Sequence, residues 1–328
     1  MSKIFITGGA GFIGFHLAKL LAQNGNDIII GDNFSRGVLD KDLSTLLQKP
    51  NVTLRSINLL KDIKHSAMGD DFDYIYHLAA IVGVRHVSSK PYNVLKDNVD
   101  MLANTLEIAR HQKRLKRFIF ASTSEIYAGT LKYFNMQIPT PENTPLTVND
   151  LKNPRSTYML SKIYGEAMCI YSGLPYTIVR PHNFYGPRMG LVHVIPEMIK
   201  RIEETQNNYI DVFSPDHRRT FCYIDDAVQM IKLLAENERA SGQTFNIGVQ
   251  NPEISILDLI ELIIRIMNKK LQLRPQGAVD GSPPRRCPDI SRAFDLTGYN
   301  PAVNLDEGIK QTYGWYRNMI ENDDLSAV

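Results

Sequence analysis

Short apolar runs alternate with amphipathic stretches over the first third of the chain, and two further apolar runs follow later. The clearest helical spacing lies at residues 92–110. Alternation of strands and helices is typical of a parallel sheet that helices cover on both faces. The pattern therefore predicts an α/β fold with a doubly wound parallel sheet, whose strands are expected at residues 4–6, 27–30, 52–57, 73–77, 117–121, 175–179 and 245–247.

The second half of the chain is less regular. Prolines become frequent after residue 180, and the segment 277–288 is rich in glycine, proline and arginine. The strand expected at 245–247 indicates that residues 219–248 return to the sheet. We therefore predict a sheet domain of residues 1–180, with 219–248 returning to it, and a smaller domain made of 181–218 and 249–328.

Composition excludes several classes of protein. The 328 residues include 37 Lys+Arg and 35 Asp+Glu, for a net charge of +2, which provides no overall field for nucleic acid or an anionic membrane. No apolar run approaches the ~18 residues of a membrane span, and the N-terminal apolar run is too short for a signal peptide. The three cysteines form no CxxC pair, so we expect no metal site and a reducing, cytoplasmic location.

Arginine is unevenly distributed along the chain. Residues 171–328 contain 12 Arg, 5 Lys and 20 acidic residues, so the more acidic half is also the arginine-rich half. Arginine suits the bidentate recognition of phosphate and carboxylate groups. The imbalance indicates a binding role for some of these side chains.

A glycine-rich segment follows the first strand. Gly8, Gly11 and Gly14 are spaced so that the loop can open a helix whose backbone N–H groups bind a pyrophosphate, as in a Rossmann fold. Asp32 ends the second strand, where a carboxylate accepts hydrogen bonds from ribose hydroxyls and repels a 2′-phosphate. These features favour NAD over NADP, although Arg36 could accommodate that phosphate.

Tyr158 and Lys162 lie one helical turn apart on the same face. Such a lysine, with a positive nicotinamide, lowers the pKa of the tyrosine so that it can remove a proton from a hydroxyl group. A hydroxyl cluster at 122–124 ends a buried strand, where ligands bind in doubly wound sheets. Tyr92 and Lys96 have the same spacing but no such cluster upstream, so we interpret them as the start of a surface or packing helix.

Several segments together resemble the extended short-chain dehydrogenases that modify nucleotide sugars. The resemblance spans essentially the whole chain. It rests on TGGAGFIG, the Asp-Asn pair at 32–33, HLAA at 77–80, STSEIY at 122–127, the Tyr-x-x-x-Lys pair, RPHNFYGPR at 180–188, RTFCYIDD at 219–226 and RRCPDI at 285–290.

The resemblance assigns roles to individual residues. It implies that Thr123, Tyr158 and Lys162 act on the sugar C4 hydroxyl, and it adds Ser124 and Glu125 to the catalytic residues. A nucleotide diphosphate sugar, most simply a UDP-sugar, would be held by Asn183, Arg188, Arg219 and Arg286. NAD would contact Tyr158, Lys162 and the residues Gly8, Gly11, Phe12, Ile13, Gly14, Asp32, Asn33, Asn58, Leu59, Leu78, Ala79, Ala80 and Asn98. Asn58 departs from the Asp that the family usually has at the adenine edge.

Oxidation of the C4 hydroxyl gives a 4-keto sugar, and three reactions share this intermediate. Thr123-Ser124-Glu125 resembles both UDP-glucuronate decarboxylases and GDP-mannose-type dehydratases, and we place the decarboxylase first because the segments GPRM and PDI look most like those enzymes. A 4,6-dehydratase is a close second, and Ser124, which replaces the acid of dTDP-glucose dehydratases, disfavours only that kind of dehydratase. A 4-epimerase is third, because epimerases usually have a small or hydroxyl residue in place of Glu125. The segment after Met189 is shorter than expected for a decarboxylase.

Two rival classes are disfavoured. A non-catalytic NAD-binding scaffold would be expected to have lost Tyr158 or Lys162, and both are present. A reductase of free ketones would not need Asn183, Arg219 and Arg286 for a diphosphate. The helices expected at 92–110 and 156–172 carry apolar residues on more than one face, and we therefore predict a homodimer.

Overall fold

The computed structural model describes residues 1–61, 68–148, 150–279 and 283–322. Seven parallel strands form the main sheet, in the spatial order 243–247, 176–181, 117–121, 74–77, 3–7, 27–32 and 52–56. All seven strands expected from the apolar runs are present, and the predicted α/β doubly wound fold is confirmed. The strands are β1 Lys3–Thr7, β2 Asp27–Asp32, β3 Val52–Ser56, β4 Tyr74–His77, β5 Arg117–Ala121, β6 Tyr176–Pro181, β7 Phe184–Tyr185, β8 Tyr209–Phe213, β9 Arg218–Arg219, β10 Cys222–Tyr223, β11 Gln243–Ile247, β12 Ile254–Ser255, β13 Gln272–Gln276 and β14 Arg285–Arg286.

Helices cover both faces of the sheet. The stretch predicted at 92–110 is a helix over Pro91–Arg110, and the helix predicted at 156–172 is Ser156–Ile170, which ends slightly earlier. Short 3₁₀ helices occupy Ser124–Tyr127 and Glu238–Ala240. The helices are α1 Phe12–Gln23, α2 Lys41–Leu46, α3 Val84–Ser89, α4 Pro91–Arg110, α5 Ala128–Tyr133, α6 Ser156–Ile170, α7 Val194–Glu204, α8 Ile224–Glu236, α9 Ile256–Ile266, α10 Ser291–Thr297 and α11 Leu305–Glu321.

Two apolar cores lie on opposite faces of the sheet. One core joins α4 and α6 to the sheet, with Leu102, Leu106 and Cys169 buried against Phe118 and Phe120. The other joins α1 and α8 and continues into the α7, α9 and α11 region. Alternate side chains of a strand point to opposite faces, so strands buried on both sides are apolar throughout.

Strand order reverses beside β1, because β2 lies on one side of it and β4 on the other. In doubly wound sheets, ligands bind at the carboxyl ends of the strands that flank such a reversal. The glycine-rich segment and residues 32, 78–80 and 122–124 all follow strands at this edge. Three small sheets, β7–β10, β12–β9–β14 and β8–β13, lie outside the main one.

Within the described ranges, no helix is both long enough and apolar enough to span a membrane.

Candidate active site

The glycine-rich segment forms a tight turn from β1 into α1. Gly8 has φ +68°, and a Cβ there would lie 2.8 Å from the backbone nitrogen of Ala79. A Cβ on Gly14 would overlap the carbonyl oxygen of Gly8. Gly11 precedes α1 without a side-chain cap, so the first N–H groups of the helix are available to an anion. This cradle fits the pyrophosphate of NAD.

Asp32 is buried at the end of β2, and its carboxylate orders both neighbouring loops. It accepts hydrogen bonds from the backbone N–H of Ala10 (3.0 Å) and of Phe34 (2.8 Å). Asn33 is exposed beside it. A carboxylate at this point suits the adenosine ribose of NAD and repels a 2′-phosphate.

Several other residues predicted to contact NAD have structural partners for their side chains. Phe12, Ile13 and Leu78 pack against the core. The Asn58 side chain accepts a hydrogen bond of 3.0 Å from Leu60 N–H, and Leu59 is buried. These residues would therefore contact a cofactor mainly through their backbone groups.

Asn98 supports the segment at residues 78–81. Its buried side chain accepts a hydrogen bond from Ile81 N–H (2.7 Å) and donates one to Ile81 O (3.0 Å). The backbone N–H of Ala79 donates to Thr7 Oγ1 (3.3 Å), and Ala80 continues this wall of the cleft. The geometry gives Asn98 a positioning role through Ile81.

Lys162 is enclosed on α6, below the end of β5. Its Nζ donates a hydrogen bond of 2.7 Å to the carbonyl oxygen of Ala121 and lies 5.9 Å from the centre of the Tyr158 ring. Burial lowers its pKa to about 8. The amine is thus held in place by the sheet and stays largely protonated at neutral pH.

Tyr158 lies on α6, close enough to Thr123 for that side chain to influence its pKa. Burial, followed by the negative charge of Glu125, raises the pKa of Tyr158 to about 12, whereas the Thr123 contact and the charge of Arg36 oppose this rise. The sequence led us to expect a pKa lowered towards neutrality. The protein alone does not lower the pKa of Tyr158, because desolvation of the phenolate dominates. The expected lowering also relied on the positive charge of a bound nicotinamide.

The second Tyr-x-x-x-Lys pair lies on the surface. Tyr92 is 72 % exposed at the start of α4, and Lys96 donates a hydrogen bond of 2.6 Å to Asp100 on the same helix. This agrees with the interpretation of that pair as the start of a surface helix.

Glu125 and Arg286 form an ion pair at the mouth of the site, with Arg286 Nη1 2.9 Å from Glu125 Oε1. Thr123 caps the 3₁₀ helix that carries Glu125 and buried Ser124 by accepting a hydrogen bond from Glu125 N–H. Arg286 holds the pKa of Glu125 below its usual range, with smaller contributions from Arg155 and Arg219. The carboxylate is therefore ionised at neutral pH.

Arg219 lies next to this pair. Burial, followed by repulsion from Arg286, lowers its pKa to about 10, and its guanidinium donates hydrogen bonds to the carbonyl oxygens of Arg218 and Pro283. Asn183 has φ +41° and donates a hydrogen bond of 3.0 Å to Thr220 O, beside Arg219. The structure thus brings Arg219, Arg286 and Glu125 together, with Asn183 attached to the same segment.

Arg188 lies elsewhere, which corrects the expectation that three arginines converge on one diphosphate. Its Nε is 2.8 Å from Asp40 Oδ2. Burial lowers the pKa of Arg188, and the charges of Asp40, Asp42 and Asp32 oppose this lowering. The side chain therefore packs against the loops around the cofactor cradle. Its position near Gly186 and Pro187 in the sequence did not reveal a partner 148 residues away.

Two groups of residues were not identified from the sequence. Arg155 lies three residues before Tyr158, one helical turn away, and its charge reaches Glu125. Arg180 and Glu166 form a buried ion pair (2.7 Å) between β6 and α6. The signals that could have indicated them were the helical spacing of Arg155 from Tyr158 and a lone arginine in an apolar strand.

Comparison with known proteins agrees with this geometry. A model of the NAD dependent epimerase/dehydratase family matches residues 4–248. A UDP-N-acetyl-alpha-D-glucosaminuronate decarboxylase of Bacillus cytotoxicus is 32 % identical over 98 % of this chain and 99 % of its own, and UDP-glucuronic acid decarboxylase 1 of Arabidopsis thaliana is 30 % identical over 98 % and 71 %. A UDP-glucuronic acid 4-epimerase of Bacillus cereus, solved with UDP-glucuronic acid and NAD, superposes with a TM-score of 0.83 at 28 % identity, covering 97 % of this chain and 99 % of that one.

These findings confirm the predicted resemblance, the prediction of an enzyme and the prediction of NAD as its cofactor. The cradle at Gly8 and Gly14 and the carboxylate of Asp32 provide the matching observations in the structure. The chain belongs to the NAD dependent epimerase/dehydratase family.

Proposed function

We propose that this enzyme oxidises C4 of a UDP-linked uronic acid and then releases its carboxyl group as carbon dioxide, with UDP-glucuronate as the first substrate to test. The observation that carries this proposal is the ionised Glu125, paired with Arg286, beside Thr123 and Tyr158. We assign NAD binding to residues 1–180 and 219–248, and nucleotide-sugar binding to residues 181–218 and 249–328.

The first step requires removal of the C4 hydroxyl proton. Tyr158 would accept that proton, Thr123 would orient the hydroxyl group, and Lys162 would stabilise the phenolate from its position under Ala121. Because the protein alone raises the pKa of Tyr158 to about 12, an additional positive charge is needed near the phenol. NAD, when bound, supplies the hydride acceptor and this charge.

Decarboxylation fits Glu125 better than dehydration does. A departing 6-hydroxyl group needs an acid, but Glu125 is held ionised by Arg286, and Ser124 stands where dTDP-glucose dehydratases have an acid. Once C4 is a ketone, the C6 carboxylate is β to a carbonyl group, so the C5–C6 bond can break with release of carbon dioxide while its electron pair forms the C4–C5 enolate. A proton from solvent at C5 and return of the hydride to C4 would complete the reaction, with no leaving group to protonate. The chemistry therefore needs no acid at the position of Glu125.

The named relatives support a carboxylated sugar. The Bacillus cytotoxicus and Arabidopsis enzymes are named as decarboxylases of uronic acid nucleotides, and the Bacillus cereus epimerase was solved with UDP-glucuronic acid. Because of the likeness to this epimerase, 4-epimerisation is a second candidate. The segment after Met189, which is shorter than expected for a decarboxylase, also supports that candidate. We assign diphosphate binding to Arg219 and Arg286, with Asn183 as a neighbour.

We also propose that the enzyme is a homodimer in the cytoplasm. Helices α4 and α6 pack side by side and leave large apolar side chains exposed, including Tyr92 on α4 and Tyr164 and Ile170 on α6. A second copy of the same face would cover them. The three cysteines are free and buried, which suits a reducing compartment. Light scattering on purified protein tests the dimer, and a monomeric mass would contradict it.

Product analysis tests the reaction. Purified enzyme is incubated with UDP-glucuronate, UDP-N-acetylglucosamine, GDP-mannose or dTDP-glucose, and the products are examined by mass spectrometry. We expect loss of carbon dioxide from UDP-glucuronate. Loss of water would indicate a dehydratase, and an unchanged mass with a new C4 configuration would indicate an epimerase. Tyr158→Phe should abolish turnover and retain NAD, and surviving activity would disprove the role of Tyr158.

A further inference from the structure

Arg188 is the buried link between the segment at residues 184–189 and the cofactor cradle. Only 5 % of its side chain is exposed. Besides Asp40, its guanidinium donates hydrogen bonds to Val38 O (3.1 Å) and Ala10 O (3.4 Å) and lies 4.0 Å from the centre of the Phe15 ring. A buried guanidinium without such partners would be strongly unfavourable, so this arrangement requires all of these segments to be in place.

The backbone groups that Arg188 holds are those around Asp32. Ala10 donates its N–H to the Asp32 carboxylate and accepts a hydrogen bond from Arg188 at its carbonyl oxygen. Val38 lies in the loop that begins at Phe34, whose N–H also binds Asp32. Asp40 Oδ1 caps α2 by accepting a hydrogen bond from Leu43 N–H, while Asp40 Oδ2 accepts one from Nε of Arg188. Arg188 therefore fixes both loops that border the ribose-binding carboxylate.

The other side of the same segment is tied to two helices. Pro187 O is 3.0 Å from His16 Nε2 on α1, and Met189 O accepts a hydrogen bond from Tyr316 on α11. Arg188 itself has φ +66°, a conformation that costs free energy for a residue with a side chain and persists where its surroundings impose it. The guanidinium is thus held through Nε and Nη2, while Nη1 is buried without a hydrogen-bond partner among the described residues.

We propose that Arg188 is a positioning residue for NAD, through which the segment that follows Asn183 controls the shape of the ribose end of the cofactor site. Loss of the Arg188–Asp40 pair would loosen the Ala10 and Val38 backbones, and NAD would dissociate faster. UDP binding at Arg219 and Arg286 would change little. The proposal depends on NAD binding by this family and not on the reaction that follows C4 oxidation.

The test compares NAD and UDP binding in Arg188→Gln and Asp40→Asn. Asn at residue 40 can still cap α2, so this variant weakens the ion pair with little effect on the helix. After removal of bound NAD, calorimetry measures both ligands, and stopped-flow dilution measures NAD release. We expect NAD affinity to fall about tenfold or more in each variant, with UDP affinity nearly unchanged. The double variant should bind NAD no more weakly than the single variant with the lower NAD affinity.

Other outcomes would overturn the proposal. A fall in UDP affinity with unchanged NAD binding would show that Arg188 contacts the substrate, and additive losses in the double variant would show that the pair is not the link. Arg317→Gln is the matched control, because its exposed ion pair with Glu321 lies on α11 outside the site. If Arg188→Gln does not fold, as judged by circular dichroism, Asp40→Asn alone carries the test, and unchanged NAD binding in that variant disproves the proposal.

Discussion

The carboxylate of Glu125 accepts a hydrogen bond of 2.9 Å from Nη1 of Arg286, although 161 positions separate the two residues in the sequence. The contact joins the 3₁₀ helix after β5 to the short strand β14, and so connects the sheet to the arginine-rich second half of the chain. It also holds the pKa of this carboxylate, whose charge acts on Tyr158, below its usual range.

The Glu125–Arg286 pair predicts a change in the pH profile. Arg286 lowers the pKa of Glu125, so Arg286→Gln should raise that pKa and move the acidic limb of the kcat profile to higher pH. Because folding lowers this pKa, the pair stabilises the native state near neutral pH and ceases to do so as the pH falls through the native pKa. Arg285→Gln, which removes the neighbouring pair with Glu253, is the control. An acidic limb that stays in place in Arg286→Gln would refute the coupling.

The buried Lys162 predicts that the free energy of unfolding of the protein depends on pH in the alkaline range. Folding lowers its pKa from 10.5 to about 8, so the unfolded chain binds the proton more tightly and the free energy of unfolding rises between these pH values. Relative to Lys162→Met, the NAD-free wild type should gain up to about 3 kcal/mol over this range. Urea unfolding at several pH values measures the gain. A constant difference between the two proteins would mean that burial does not shift this pKa.

The buried Arg180–Glu166 pair predicts a large loss of stability in single variants. Arg180 donates two hydrogen bonds to Glu166, at 2.9 Å and 2.7 Å, and both side chains are almost fully buried. Glu166→Gln should lower the free energy of unfolding by about 3 kcal/mol, because it leaves an uncompensated buried charge. The double variant Arg180→Met with Glu166→Leu should be more stable than either single variant. Additive losses, measured by urea unfolding, would argue against a coupled pair.

Gly14 predicts a selective loss of NAD binding. Gly14→Ala places a Cβ against the carbonyl oxygen of Gly8, which must move and thereby distort the cradle. NAD affinity, measured by calorimetry, should fall about a hundredfold or more. The control is Gly314→Ala in α11, where a Cβ meets no neighbouring atom and should stabilise the helix by about 1 kcal/mol. Equal NAD affinity in the two variants would rule out this role of Gly14.

The sequence by itself determined the elements of the sheet and the local parts of the site. The seven apolar runs became the seven strands because a strand buried on both faces must be apolar along its length. The cradle at Gly8–Gly14 and the Tyr158–Lys162 pair were predictable for the same kind of reason. Each depends on residues close together in the chain, whose relative placement the local backbone dictates.

The tertiary structure alone decided which charged groups meet. Arg188 lies in the same segment as Asn183, yet its partner is Asp40, and Arg286 reaches Glu125 from the far end of the chain. It also decided that Lys162 bonds to Ala121 and that burial raises the pKa of Tyr158. Such pairings depend on how distant segments pack and on how much water they exclude, and neither quantity is encoded in residue spacing.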